Sequence, residues 1–145
     1  MPGSLVLFIT QYQIAMASIF TKIVEGEIPS YKIAEDDRYY AFLDIRPMAK
    51  GHTLVIPKQE IDYIFELDDD LLSGLMVFAK KVAQALEQCV PCERIGVAVL
   101  GLEVPHAHVH LVPINAITDL QFGKPPVEME PDEMAALAKK VAERM

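Results

Sequence analysis

The sequence predicts a single domain of the α+β class that is built on an antiparallel sheet. Several short strand-like segments occur along the chain without regular alternation with helices, and they surround one long amphipathic segment. Near residue 110, polar and apolar residues alternate with a period of two, as expected for a strand with two different faces. The chain has 145 residues, of which 52% are hydrophobic, so it is large enough to bury a core. We divide it into an extension, residues 1–16, and one domain, residues 17–145.

Three helices are predicted. Ser18 is a suitable N-cap and Gly26 a suitable stop for a short helix over residues 18–25. A long helix over residues 68–88 begins with an acidic first turn and ends before Pro91. A last helix covers residues 131–144. The residues predicted to form the apolar face of the long helix are Leu72, Leu75, Met76, Ala79, Val82, Ala83 and Leu86.

The predicted strands are short and separated by turn-forming residues. The first two form a hairpin around Asp36 and Asp37, and Pro47 and Gly51 bracket the loop before the third. Residues 101–105 form the turn between the last two strands, and residues 114–130 form a loop. The strands are residues 32–35, 38–43, 53–56, 94–100 and 106–112.

Composition excludes several classes of function. A formal charge of −8 and a sequence pI near 4.9 argue against polymeric nucleic acid or an anionic membrane as partner, although a pocket for a mononucleotide remains possible. No apolar run approaches the roughly 18 residues of a membrane-spanning helix. No Lys or Arg precedes Lys22, and Gln11 and Gln13 interrupt the early apolar stretch, which is unlike a secretory signal. We therefore expect a cytoplasmic protein.

Three of the four histidines lie at alternate positions, His106, His108 and His110, and on a strand their side chains share one face. Such a row is compatible with a hydrogen-bonded polar strip, with a metal site completed by other ligands, or with covalent catalysis by a neutral imidazole. Spacing alone does not distinguish these three interpretations.

The pattern of alternating histidines followed by Leu111 and Val112 resembles the signature of the histidine-triad family of nucleotide hydrolases and transferases. The resemblance extends over residues 17–115 and includes five further stretches in the family's order. These are Ser18-Ile19-Phe20-Thr21-Lys22-Ile23, Gly26-Glu27-Ile28-Pro29, Glu35-Asp36-Asp37, Ala41-Phe42-Leu43-Asp44-Ile45 and Gly51-His52-Thr53-Leu54-Val55-Ile56-Pro57-Lys58. It implies a five-stranded antiparallel sheet with one long and one or two shorter helices, a homodimer, and a substrate that is a nucleoside monophosphate or an AMP-linked small molecule.

By the same resemblance, His108 is the nucleophile that forms a covalent nucleotidyl-histidine, and His110 donates to the phosphate oxygens. His106 and His52 orient these two rings. Asp44 accepts hydrogen bonds from the ribose hydroxyls, although an aspartate at a strand end before Pro47 is also a common turn residue. The remaining substrate-binding residues implied are an apolar slot for the base and one glycine, namely Ile19, Phe20, Ile23, Ile28, Phe42, Ile45 and Gly101.

Three departures from the family pattern affect these expectations. Members that bind structural zinc carry Cys-x-x-Cys where this chain has Ser18 and Thr21, so we expect neither a metal nor another cofactor. An Asn-containing stretch that precedes the triad in many members is apolar here, at residues 95–100. Glu103 replaces a Ser or Thr that helps the leaving group, which predicts slower turnover.

An enzyme is therefore the first hypothesis. The alternative is a nucleotide-binding or partner-binding module that has kept the pocket but lost efficient chemistry, and a metalloprotein is the third. Cys89 and Cys92 follow the end of a helix and have no second pair of ligands, so we interpret them as reduced thiols without a functional role.

Overall fold

The computed structural model describes residues 17–145, so the extension predicted for residues 1–16 lies outside the described part of the chain. A five-stranded antiparallel sheet has the order β1-β2-β3-β5-β4, which confirms the predicted fold class. Its strands are β1 (Lys32–Glu35), β2 (Tyr39–Leu43), β3 (Thr53–Pro57), β4 (Arg94–Ala98) and β5 (Val109–Ile114). The helices are α1 (Ile19–Val24), α2 (Asp69–Cys89) and α3 (Pro131–Ala142), with single 3-10 turns at Ile64–Glu66 and Ile117–Asp119.

The ends of α1 follow the predicted capping residues. The Ser18 hydroxyl accepts a hydrogen bond from the backbone N–H of Thr21 at 3.0 Å, which satisfies one of the free donors of the first turn of α1. Asp68 caps α2 in the same way through the N–H of Leu71. The chain leaves α1 through Gly26, whose φ of 80° is a backbone conformation that residues with a side chain rarely adopt.

The core lies on both faces of the sheet. The larger cluster packs α2 and α3 against one face, where Val55, Val109 and Leu111 are fully buried. The smaller cluster packs α1 on the other face, chiefly through Phe20 and Phe42, whose ring centroids are 5.5 Å apart. The histidines belong to this second face, so α1 is the helix that adjoins them.

The predicted apolar face of α2 is wrong at one position. Met76 is exposed, and Leu71, Phe78 and Ala85 are buried instead beside Leu75. Spacings of three and four residues are compatible with an apolar face on either side of Leu75. In the structure, the side of α2 that carries Phe78 packs against the sheet. At Gly74, a Cβ atom would collide with the hydroxyl of Tyr39, so helix and sheet approach each other too closely there for any side chain.

The last strand was also predicted to begin too early. It starts at Val109, because the backbone of the preceding residues bonds elsewhere: the N–H of His106 donates to the carbonyl oxygen of Val104 and that of Ala107 to Ile61. Strand β4 correspondingly ends at Ala98, which pairs with His110. The predicted alternation of faces still holds, since Ala107, Val109 and Leu111 all join the cluster under α2 and α3.

Candidate active site

Two adjoining cavities meet at the histidines. The first, which we call the apolar cavity, has a volume of about 220 Å³ and opens between α1 and the sheet. Its lining contains every residue predicted for the apolar slot, together with Asp44, His108 and His110. The second, the polar cavity, has a volume of about 270 Å³ and is lined by Arg46, His52, His110 and Lys124 among others. Asp44, Glu103 and His110 line both cavities.

The four histidine rings form a continuous buried group. His106 lies behind His108, and both contact the ring of Phe20, with centroid distances of 5.8 and 5.1 Å. The rings of His108 and His110 are 4.9 Å apart, and His52 lies beside His110. All four rings are less than 8% exposed, so their hydrogen bonds are protected from exchange with water.

Backbone partners determine where His108 and His106 carry their protons. Nδ1 of His108 is 2.8 Å from the carbonyl oxygen of His106, and Nε2 of His106 is 2.7 Å from that of Pro57. A carbonyl oxygen can only accept, so each of these nitrogens donates an N–H. The neutral His108 ring therefore holds its lone pair on Nε2.

A second chain of hydrogen bonds determines the protons of His52 and His110. The backbone N–H of Met48 donates to Nδ1 of His52 at 3.0 Å, so the proton of neutral His52 is on Nε2. This Nε2–H donates to Nδ1 of His110 at 2.9 Å. The neutral His110 ring consequently carries its remaining proton on Nε2, as an N–H donor.

Burial keeps three of these rings neutral. It lowers the pKa of His110 to about 3, with further lowering from the neighbouring His108 and His52. It also lowers the pKa of His52, against an opposing effect of the Asp44 carboxylate, whose Oδ2 lies 3.6 Å from His52 Nε2. Burial lowers the pKa of His106 as well, although the hydrogen bond to Pro57 acts in the opposite direction. The tautomers described above for His52, His106 and His110 are therefore those present near neutral pH.

Asp44, His52 and His110 form one group whose atoms are close enough to consider a metal ion, since one donor atom of each lies within 4.8 Å of the others. A histidine that binds a metal normally donates an N–H through its other ring nitrogen. Nδ1 of His52 instead accepts from Met48. Binding at Nε2 would place two N–H groups against each other, so the hydrogen bonding favours a histidine pair over a metal site.

The structure places one predicted site residue apart from the others and adds some that the sequence did not indicate. Gly101 has a φ of 78° and lines a third cavity. This cavity reaches His108 from the β4 side and is also lined by Tyr63, Phe65, Val99 and Leu100. Phe122, from the predicted loop, packs edge-on against His110 at 4.9 Å between centroids. No sequence pattern connects Phe122 to the triad, because the contact depends on how a long loop returns to the sheet.

The fold and site define an α+β protein with a buried group of four histidines beside an apolar pocket. Residues 25–117 match the family model of the HIT domain, and the chain belongs to this histidine-triad family of hydrolases. It is 36% identical to the adenosine 5'-monophosphoramidase of Schizosaccharomyces pombe over 133 residues, which cover 90% of this chain and 99% of that protein.

Further relatives agree with this assignment. The adenosine 5'-monophosphoramidase of Saccharomyces cerevisiae is also 36% identical, over 89% of this chain and 83% of its own length. Among solved structures, a Hit-like protein from Bartonella henselae superposes with a TM-score of 0.76 and 29% identity, covering 88% of this chain and 96% of that one. Among residues 17–145, we find no helix of the length and apolarity that crossing a membrane requires.

Proposed function

We propose that the protein cleaves AMP-linked phosphoramidates, dinucleotides or related conjugates through a covalent nucleotidyl-histidine intermediate on His108. The observation that carries the proposal is the tautomer of His108, whose Nδ1–H is held by the carbonyl of His106. The lone pair on Nε2 is the uncharged nucleophile that attack on an anionic phosphate requires.

His110 supplies the complementary group. Its Nε2–H donates to a non-bridging phosphate oxygen and stabilises the charge that develops there during attack. Because burial lowers the pKa of His110 to about 3, the ring stays neutral and its donor hydrogen stays on Nε2. His52 serves as the positioning residue for His110 through the hydrogen bond at 2.9 Å.

The apolar cavity accommodates the nucleoside. Phe20 and Phe42 provide apolar surface for the base, and Ile19, Ile23, Ile28 and Ile45 complete the slot. Asp44, at the border of both cavities, accepts hydrogen bonds from the ribose hydroxyls. In the proposed complex the phosphate lies between His108 and His110 and the leaving group lies in the polar cavity, which is supported by the border that the two cavities share at His110.

The reaction has two displacements at phosphorus. In the first, a bond forms between phosphorus and His108 Nε2 while the bond to the leaving group breaks, and the leaving amine or oxygen takes up a proton from solvent. In the second, water attacks phosphorus and releases a proton to solvent, the bond to His108 breaks, and AMP is released with the neutral imidazole restored. Transfer to another nucleophile in place of water would give a nucleotidyl transferase. The names of the two yeast relatives support an amine as the leaving group.

The test is direct detection of the intermediate. Protein is mixed with an adenosine phosphoramidate, quenched in milliseconds and digested, and we expect an adenylate mass on the peptide containing residues 106–113. His108→Gly should lose the adduct and at least about a thousandfold in turnover, because no other group replaces the nucleophile. Free imidazole should restore part of the turnover of His108→Gly without an adduct. Unchanged turnover in His108→Gly would refute the proposal.

A second candidate is a nucleotide-binding module with little catalytic activity. It is favoured by Glu103, whose carboxylate lines both cavities where a phosphate would lie. Calorimetry with AMP, combined with turnover assays over amine, phosphate and nucleotide leaving groups, distinguishes the two. AMP binding with no cleavage of any conjugate would support the module.

We also propose that the protein is a homodimer joined along β4. This strand is an edge of the sheet within residues 17–145 and has one unpaired side. Exposed apolar side chains lie on β4, at Val97, and directly after it, at Val99 and Leu100. Val99 and Leu100 line a cavity together with Tyr63 and Phe65. A second copy would pair with the open edge and cover this apolar surface.

A further inference from the structure

Behind the histidines, a hydrogen-bond network connects three segments of the chain: the loop that carries Glu60, the start of α1 and the segment that carries His106. Oε1 of Glu60 accepts hydrogen bonds from the backbone N–H of Ser18 at 2.6 Å and from the hydroxyl of Thr21 at 2.7 Å. The Ser18 hydroxyl lies 2.8 Å from Nδ1 of His106, and that of Thr21 lies 3.4 Å from the same nitrogen. A loop residue after β3 is thus connected to the first triad histidine through the N-terminus of α1.

Each hydrogen in this network has one assigned direction. Nδ1 of neutral His106 is an acceptor, because Nε2–H donates to the carbonyl of Pro57. The Thr21 hydroxyl donates to Glu60, so it is not available as a donor to His106. Ser18 therefore provides the hydrogen to Nδ1, while its oxygen accepts from the N–H of Thr21.

His106 in turn controls the nucleophile. Its carbonyl oxygen accepts the Nδ1–H of His108 at 2.8 Å, and Phe20 packs against both rings. A shift of the His106 backbone would move the acceptor that keeps the lone pair of His108 on Nε2, and a displacement of the His106 ring would disturb the packing on Phe20 that the two rings share. The geometry of His106 is therefore part of the geometry of attack.

Glu60 differs from the groups it holds in one respect. It is exposed, whereas Ser18 and His106 are buried at 4% and 0% exposure. Burial raises the pKa of Glu60, but the hydrogen bonds from Ser18 and Thr21 outweigh this effect, and the net pKa lies below its ordinary value. The carboxylate thus stays ionised as an acceptor throughout the neutral range.

We propose that Glu60 is a positioning residue for the reaction, which acts through Ser18 and Thr21 to hold His106, and with it the carbonyl oxygen that orients His108, in place. The inference rests on the proposed function of His108. The competing interpretation is that Glu60 only anchors α1, as any carboxylate near a helix N-terminus does.

Two variants of Glu60 separate these interpretations. Glu60→Gln keeps the Oε1 acceptor, whereas Glu60→Ala removes it. We expect Glu60→Ala to lower kcat about tenfold with KM within about twofold, because the substrate contacts remain and only the attacking group is misplaced. Glu60→Gln should stay within about twofold of the wild-type kcat.

The hydrogen bond to Nδ1 of His106 provides a readout that does not need a substrate. Correlation spectra of ¹⁵N-labelled histidine side chains distinguish Nδ1–H from Nε2–H rings and report whether an unprotonated ring nitrogen accepts a hydrogen bond. The wild-type protein should show the Nε2–H tautomer of His106 with one sharp Nδ1 resonance. Glu60→Ala should shift or broaden that Nδ1 resonance without changing the tautomer, while Glu60→Gln resembles the wild type. Ser18→Ala should shift the same resonance and should make the further change Glu60→Ala ineffective. Glu27→Ala, which removes another exposed carboxylate near α1, is the matched control and should change neither readout.

The outcomes are distinguishable from failure of the proposed function. If the protein cleaves no AMP conjugate, the spectra alone still test the role of Glu60 in fixing His106. An unchanged Nδ1 resonance of His106 in Glu60→Ala would overturn the inference. So would a lower melting temperature with unchanged kcat, since that result assigns Glu60 to the stability of α1 only.

Discussion

At the scale of single residues, the site is defined by where each imidazole keeps its hydrogen. The carbonyl oxygens of Pro57 and His106 and the N–H of Met48 are the fixed references for these hydrogens. Backbone groups cannot change from donor to acceptor, so the tautomers follow from the fold before any ligand binds. The lone pair of His108 and the donor of His110 are consequently prepared in advance, which is the condition for efficient electrostatic stabilisation.

Glu103 is the residue whose chemistry fits phosphate least well. Its carboxylate borders both cavities beside His110, and a like charge opposes the binding and reaction of a phosphate anion. We predict that Glu103→Ser raises kcat/KM for an adenosine phosphoramidate by roughly tenfold, which corresponds to about 1.4 kcal/mol. Steady-state kinetics at low ionic strength measure the change.

Glu103→Gln is the matched control, because it removes the charge and keeps the size. If repulsion is the cause, Glu103→Gln should recover most of the gain, and the difference from the wild type should shrink in 0.5 M salt. A lower kcat/KM in both variants would mean instead that Glu103 assists the reaction.

At the scale of elements, β4 is one of the two edge strands of the sheet within residues 17–145, and exposed apolar side chains lie on and beside it. Val97 on this strand is 52% exposed. We predict that Val97→Lys converts the dimer to a monomer, because a charge would be buried against the second copy. Sedimentation equilibrium measures the mass. Val127→Lys, at a similarly exposed valine whose backbone N–H bonds to Pro47, should leave the dimer intact. A wild-type protein that sediments as a monomer of 16.2 kDa would exclude the dimer.

Much of the element order follows from local patterns in the sequence. Ser18 was predicted as an N-cap and caps as expected, because capping involves only residues three apart. Asp68, which was predicted as the first residue of the long helix, is its N-cap. The shared face of the triad was predicted for the same reason, since alternation is a property of any extended chain. The start of β5 could not be predicted, because it depends on a distant partner, the carbonyl of Ile61.

In the candidate site too, residues in local sequence motifs were predicted, whereas contacts between distant segments were not. The apolar slot predicted by resemblance lies around one cavity, whereas Gly101, predicted beside it, lines another. The contacts of Glu60 and Phe122 escaped sequence reasoning, since each joins segments that lie far apart in the chain. Glu60 is 42 residues from Ser18, and no periodicity relates two such positions.

At the scale of the whole molecule, the buried histidines connect stability to pH. His52, His106 and His110 each have a pKa below the ordinary value of about 6.5 because burial disfavours the charged ring. The unfolded chain therefore binds more protons than the folded protein as pH falls below about 6.5. Stability is fully present above that pH and is lost progressively below it.

We predict that the free energy of unfolding decreases between pH 7 and pH 5 by up to about 1.4 kcal/mol per pH unit for each of these histidines. Urea denaturation at fixed protein concentration measures the decrease. His110→Gln should reduce the pH dependence of the free energy of unfolding by the contribution of about one proton, because glutamine does not titrate. A free energy of unfolding that stays constant between pH 7 and pH 5 would contradict the neutral state of these rings.

The hydrogen bond from the Ser18 amide to Glu60 has a practical implication for handling the protein. A purification tag, fluorophore or surface linkage fused immediately before this amide would strain the hydrogen bonds that hold His106 and, through it, His108. Attachment after Met145, where α3 has already ended, leaves those hydrogen bonds undisturbed. Assays on immobilised material should therefore use the carboxyl-terminal end as the point of attachment.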